Sequence, residues 1–242
     1  LTEQVYLPGR KGSLQIEMLA ATRRNGALAY QLAPDLRAVL QEVAAGTPVV
    51  ALLNLSGIQF WPVWHYAVVV GYDLEREEII LRSGPDPRRV TDVGFFEFLW
   101  KDGSFWAMAA VPPNRIPVTA REQPYAAAAA ALELAGRREA REAYRALLSR
   151  WPENLVGLVG LGNVEYAEGN FAAAEAGFQR AVAAHPQSAV ALNNLAQTLA
   201  DLGRLDEAET AARTAVALGG ATLPAAQSTL AQIVERRSKA RP

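Results

Sequence analysis

The sequence predicts two structural classes in one chain, an α+β domain over residues 1–112 and an all-α solenoid over 125–237. Three observations predict this. The first half carries two helical patterns and then β-branched and apolar runs joined by short turns, and short turns imply antiparallel pairing. Four prolines, Pro112, Pro113, Pro117 and Pro124, mark 113–124 as a stiff linker. Beyond them the chain turns alanine-rich and repeats with a fixed period.

The elements follow in order. Ser13 is placed to cap a helix running to Ala20, with Ile16, Leu19 and Ala20 on one face, and Asn25-Gly26 ends it. Ala27 to Leu32 reads as a short strand. Asp35 caps a second helix, Leu36 to Ala45, with Leu36, Val39, Leu40 and Val43 inward. Gly46-Thr47-Pro48 turns into the strand Val49 to Leu53. Ser56 to Trp64 is a loop rich in aromatics, and His65 enters a Val-rich strand closed by Gly71-Tyr72-Asp73. Asp73 to Glu78 is a hairpin turn and Ile79 to Leu81 the return strand. Val93 to Trp100 reads as a helix and Phe105 to Val111 as the last strand.

Composition excludes several functions. Net charge is −1, and Lys/Arg against Asp/Glu runs 11 to 12 up to Arg115 and 13 to 13 beyond it, so no basic block suggests nucleic acid. Cysteine is absent and the histidines are His65 and His185, which argues against a metal centre and offers no cofactor signal. Val43 to Tyr72 lacks charge, yet Gly46, Pro48, Asn54, Gly57 and Pro62 break it too often for a membrane span. Gly160-Leu161-Gly162 sits inside a helical repeat and carries no nucleotide signal.

In the second half, Pro152 and Pro186 are 34 residues apart, as are Gly169 and Gly203. Ala140, Ala174 and Ala208 keep that phase, as do Tyr144, Phe178 and Ala212, and Leu161 with Leu195. This pattern resembles the tetratricopeptide repeat, in units of roughly 121–154, 155–188 and 189–222 with a closing helix after Pro224. The physical logic is packing. The alanines let helices approach, Tyr144 and Phe178 fill the gap to the next repeat, and Gly169 and Gly203 turn the chain. The polar Gln227, Gln232, Glu235 and Arg236 of the closing helix face water. The first repeat departs from the pattern, with Gly136 one place late and Ala126 to Ala131 in place of large residues. The inner helices would present Val159, Asn163 and Tyr166, then Val190, Asn193, Asn194 and Gln197, as a peptide-binding surface. Two asparagines there resemble the clamps that such repeats use for a peptide carboxylate. Val159 stands where a clamp lysine is expected, so the expectation is peptide or protein binding in general. Solvated helix faces account for the asparagines equally well, and His185 reads as surface.

A histidine held at the mouth of a buried strand is well placed for a general base, and equally for a partly buried structural histidine. The pattern Pro48 to Leu53, a loop, His65 to Asp73, a turn, and Glu78 to Leu81 resembles the catalytic-histidine half of the bacteriocin-processing (double-glycine) peptidases. These are papain-like cysteine peptidases, and the resemblance covers residues 5–112. It implies a papain-like fold, His65 as the base for a cysteine on an upstream helix, and a bacterial envelope setting. The orienting position falls on Ser83, with Asp86 of Asp86-Pro87 three residues later; a carboxylate stabilises imidazolium better, and Asp86 is equally a turn residue between prolines. Trp61 and Trp64 would wall the substrate cleft or cover strand edges.

Leu1 is not a start residue, and the expectation is a trimmed piece of a longer peptidase that is itself inactive. The alternative is a non-catalytic scaffold in which both halves bind peptides. Loss of a core helix would leave an apolar groove beside His65, open to the missing segment, a second copy or a partner.

Overall fold

The computed structural model describes residues 13–58 and 60–240. It divides into one compact unit ending at Glu139 and a second beginning at Ala140.

The first unit is built on one antiparallel sheet. Its elements are α1 (Gln15–Arg24), β1 (Leu28–Gln31), α2 (Leu36–Ala44), β2 (Val49–Asn54), β3 (Trp64–Asp73), β4 (Glu78–Ser83), β5 (Asp86–Asp92), α3 (Val93–Lys101), β6 (Ala107–Val111) and α4 (Glu122–Glu133). The strand order is β1-β6-β2-β3-β4-β5. β2 and β3 pair Leu53 with His65 and Leu52 with Tyr66. Alternation along the strands then sorts the two faces. Leu52, Ala29 and Met108 form a core with Trp106, against which Tyr66 and the α1 residues Met18 and Leu19 pack. Val49, Ala51, Leu53, Ala67 and Val69 are buried on the other face, and α2 and α3 pack against these strands.

Four sequence expectations need correction. Ser13 does not cap α1: Leu14 holds the cap position with no side-chain bond, and the Ser13 carbonyl accepts from the Tyr66 hydroxyl instead. Ile16 is therefore exposed, and Met18, Leu19 and Ala21 face inward. In α2 the buried set is Ala38, Val39 and Glu42, with Leu36, Leu40 and Val43 only partly buried. The Glu42 carboxylate is drawn in because it accepts both the backbone N–H and the hydroxyl of Thr119. Finally, β5 is a strand that hydrophobic patterning does not show, since most of its side chains face water.

Residues 113–121 lie against this unit. Thr119 is held by Glu42, its carbonyl accepts from the Tyr30 hydroxyl, and Arg115 donates to the Ala45 carbonyl. α4 packs on β1.

The second unit begins within α5 (Arg137–Arg150) and continues as α6 (Leu155–Ala167), α7 (Phe171–Ala184), α8 (Ala189–Asp201), α9 (Leu205–Leu218), a short 3-10 turn and α10 (Leu223–Ala240). Gly169 and Gly203 both adopt φ +79°, so the two in-phase glycines are the left-handed turns between paired helices. Ala174, Phe178, Ala191, Ala208 and Ile233 share one core, and Ala140, Ala174 and Ala208 are fully buried. The tight approaches use glycines. A side chain at Gly160 would overlap Tyr144, and one at Gly162 would lie 2.5 Å from Phe178 Cε1. Tyr144 thus fills the gap to the next repeat as expected, and Phe178 does the same, sharing a core with Ala191 and Leu195 while Gly162 of its own repeat makes room for the ring.

Candidate functional site

The first unit carries its site at the start of β3. His65 is half-buried, and its Nε2 lies 2.9 Å from Ser83 Oγ on β4. The strand pairing explains this: β3 and β4 run antiparallel with a register shift at Val69/Gly71, which brings the end of β4 beside the start of β3. Of the two orienting candidates the ring meets Ser83. Asp86 begins β5, and its Oδ1 accepts from the Arg88 N–H. Burial, and then the positive charge of Arg89, lower the His65 pKa. Both effects favour the neutral imidazole, the form able to accept a proton.

Beside it opens a groove of about 960 Å³, lined by Leu14, Leu52, Trp64, His65, Tyr66 and Asp102 among others. Trp64 lines this groove; Trp61 does not, and with Phe60 it projects from the loop almost fully exposed. The loop hangs on Asn54, a completely buried residue that sequence reading passed over. Its Oδ1 accepts from Ser56 and the Val63 N–H, and its Nδ2 donates to the Ile58 carbonyl and to Asp102. A lone amide ending the apolar run Val49 to Leu53, two residues before Ser56, is the signal that would have found it.

The second unit carries a pocket of about 170 Å³ lined by Asn163, Tyr166, Phe178, Asn194 and Gln197. Of the five polar residues predicted for the peptide-binding surface alongside Val159 and Val190, four meet here, Asn163, Tyr166, Asn194 and Gln197, because α6 and α8 occupy equivalent places in successive repeats. Asn193 is not among them; its Oδ1 is buried with no partner among the described residues. Asn194 Nδ2 donates to Asn163 Oδ1 at 2.9 Å. Behind the pocket stands Asp201, also missed in the sequence. Its Oδ2 accepts from Tyr166 at 2.5 Å and from Gln197 at 3.2 Å, and its Oδ1 pairs with Arg236. Burial alone would raise the Asp201 carboxyl, but the Tyr166 hydroxyl, Arg236 and Gln197 together hold it below the usual carboxylate range. Burial, and then its bond to Asp201, push Tyr166 up to about 12.

Among the described residues no group of three or more His, Asp or Glu could hold a metal, and no helix is long and apolar enough to cross a membrane.

A tetratricopeptide-repeat family model matches residues 125–189 and again 159–221. The helical half is an array of tetratricopeptide repeats. The match begins at Tyr125 and does not extend into the sheet. No curated protein matches the sequence. Similar solved structures include the first TPR of Spaghetti (RPAP3) bound to the HSP90 peptide SRMEEVD, at 21% identity and TM-score 0.41 over 44% of this chain and 83% of that one. MamA is similar at 17% identity and TM-score 0.44, over 49% of this chain and 69% of its own.

Proposed function

We propose that this protein binds a peptide segment of a partner protein through its tetratricopeptide array. The observation that carries the reading is the pocket between α6 and α8, where Asn163, Tyr166, Asn194 and Gln197 converge over the buried ring of Phe178. Polar groups converging over an apolar floor suit one side chain and its peptide backbone. The test is selection from a displayed library of random 12-residue peptides, followed by chemical-shift mapping. Selected peptides should perturb Asn163, Tyr166, Asn194 and Gln197. No binders, or shifts confined to other surfaces, would remove the reading.

A second reading concerns the sheet unit and rests on the His65–Ser83 contact at the rim of an open groove. In it the unit is the base-bearing part of a papain-like cysteine peptidase of the double-glycine type. His65 would take a proton from a thiol that this sequence does not contain. Ser83 would hold Nε2, leaving Nδ1 for the thiol. Because burial, and then Arg89, disfavour imidazolium, the reading implies general-base transfer to a neutral ring rather than a standing thiolate–imidazolium pair. Thiol-directed labelling of the polypeptide as its gene encodes it decides the matter. Labelling lost in His65→Ala supports the reading; a gene product with no cysteine that reacts in a His65-dependent way overturns it.

A further inference from the structure

We propose that this chain forms a two-fold dimer in which the Phe60–Trp61 loop tip of each copy enters the His65 groove of the other. The contact lies on the sheet unit and is independent of the peptide-binding reading.

Apolar side chains accumulate where the loop meets α3. Phe60 is 87% exposed and Trp61 79%. Gly57, near the foot of the loop, backs onto Phe98: a side chain there would lie 2.9 Å from the Phe98 Cε1. Phe95 stacks on Phe98 with ring centroids 6.4 Å apart. Both of these rings are about half exposed, as are Ile58, Val63 and Trp64. At these exposures the five aromatic rings alone present on the order of 600 Å² of apolar surface. A monomer leaves about 300–600 Å² in its largest patch, and a stable interface takes about 800 Å² from each partner. With Ile58 and Val63 added, the patch approaches the area that a dimer needs.

The tip is held ready for docking. Asn54 accepts from the Val63 N–H and donates to the Ile58 carbonyl. The Leu55 N–H closes on the Val63 carbonyl, and the Trp61 N–H on the Ile58 carbonyl. A loop fixed in this way loses little freedom on binding. From Val43 to Tyr72 the chain carries no Asp, Glu, Lys or Arg. Two identical loops can therefore approach without the like-charge repulsion that discourages self-contact.

The receptor for the tip lies beside it. Pro62, Val63 and Trp64 follow Trp61 directly, and all three line the groove. Knob and hole thus share one stretch of chain. A two-fold axis through 62–64 sets each tip at the groove of the other copy, which is the self-complementary arrangement of an isologous contact. The groove's volume of about 960 Å³ is at the upper end of the range for pockets that hold a drug-sized molecule, so it has room for an indole and a phenyl ring. Leu52 and Tyr66 supply apolar wall. Asp102 accepts from Asn54 through Oδ2, and its other oxygen suits an indole N–H. Trp61 does not line the groove of its own copy; in the dimer it walls the groove of the other. A bilayer would cover the tip and leave the groove open, whereas a second copy fills both.

Sedimentation of the full chain over a dilution series tests the proposal. It expects a monomer–dimer equilibrium of about micromolar affinity or tighter. Phe60→Ser combined with Trp61→Ser alters two exposed rings. The double variant should keep the circular-dichroism spectrum of the wild type and weaken association at least about tenfold. A second readout needs no variant: on dilution the imidazole resonance of His65 should move and that of His185 should stay. A chain still monomeric at about 100 µM would overturn the proposal. So would a dimer that survives the double substitution, or one that forms with the His65 resonance unmoved. A monomer whose tryptophan fluorescence shifts on phosphatidylcholine vesicles would overturn it likewise and give the tip to a membrane surface.

Discussion

The ring of Tyr144 on α5 occupies the space that any side chain at Gly160 on α6 would need. Tyr144 is almost completely buried, so the ring has nowhere to go. Replacing Gly160 by alanine would gain roughly 1 kcal/mol of helix propensity. It would also force an overpacked contact costing about 1–3 kcal/mol. The second effect wins, and Gly160→Ala should lower the thermal midpoint. Gly177 is the control: a side chain there would meet only Gly162 and Leu158 backbone atoms at 3.5–3.8 Å, so Gly177→Ala should be neutral or stabilising. Thermal melts followed by circular dichroism separate the two.

His65 should titrate below its ordinary value of 6.5. The folded ring favours the neutral form. Its contribution to stability is therefore complete above pH 6.5 and lost as pH falls through the folded value. With two histidines in the chain, imidazole resonances in NMR report it directly. Ser83→Asp places a carboxylate at the 2.9 Å contact and should raise the His65 pKa. An unchanged titration would show that the hydroxyl does not govern the ring.

Glu42 should prove to be a structural carboxylate. Glu42→Ala leaves the N–H and hydroxyl of Thr119 without their acceptor, a loss of about 1–3 kcal/mol. The urea midpoint should fall, and the Thr119 amide should exchange faster with solvent. Slow exchange retained in the variant would refute the role.

Much of this was legible in the sequence, for reasons specific to each half. The repeats were readable because their packing demands residue types at fixed phases: alanine where helices touch, and glycine where φ must be positive at 169 and 203. The pocket followed, because Asn163 and Asn194 inherit their places from the same periodicity. Asp201 did not, since a carboxylate at the end of a helix looks solvated until its partners on α6 and α10 are known. In the sheet unit the β2–β3 pair was readable from its apolar runs. β5 was not, because Arg88, Arg89 and Asp92 face water on a sheet edge, where no alternation is needed. Asn54 was missed because the bonds of its side chain link it to a loop and to Asp102, which is 48 residues away.

Asp201 gives the helical unit an acid-sensitive point. Its folded carboxyl lies below the ordinary 3.8, so its contribution is present above that value and lost as pH falls through the folded pKa. Asp201→Asn should lower stability at neutral pH and flatten the fall in urea midpoint between about pH 5 and pH 3. Glu209, which bonds Arg213 and Arg237, titrates in the same direction, so the comparison with wild type carries the result.

The prolines after Val111 look like a seam at which one module could be exchanged for another, but the hydrogen bonds of Thr119 and Tyr30 put the seam elsewhere. The helix that opens the repeat array, α4, also closes the sheet unit by packing on β1. Recombination at the prolines would strip the sheet of the helix that covers β1. A recombinant fragment of the first half therefore needs to run through the end of α4 to keep β1 covered.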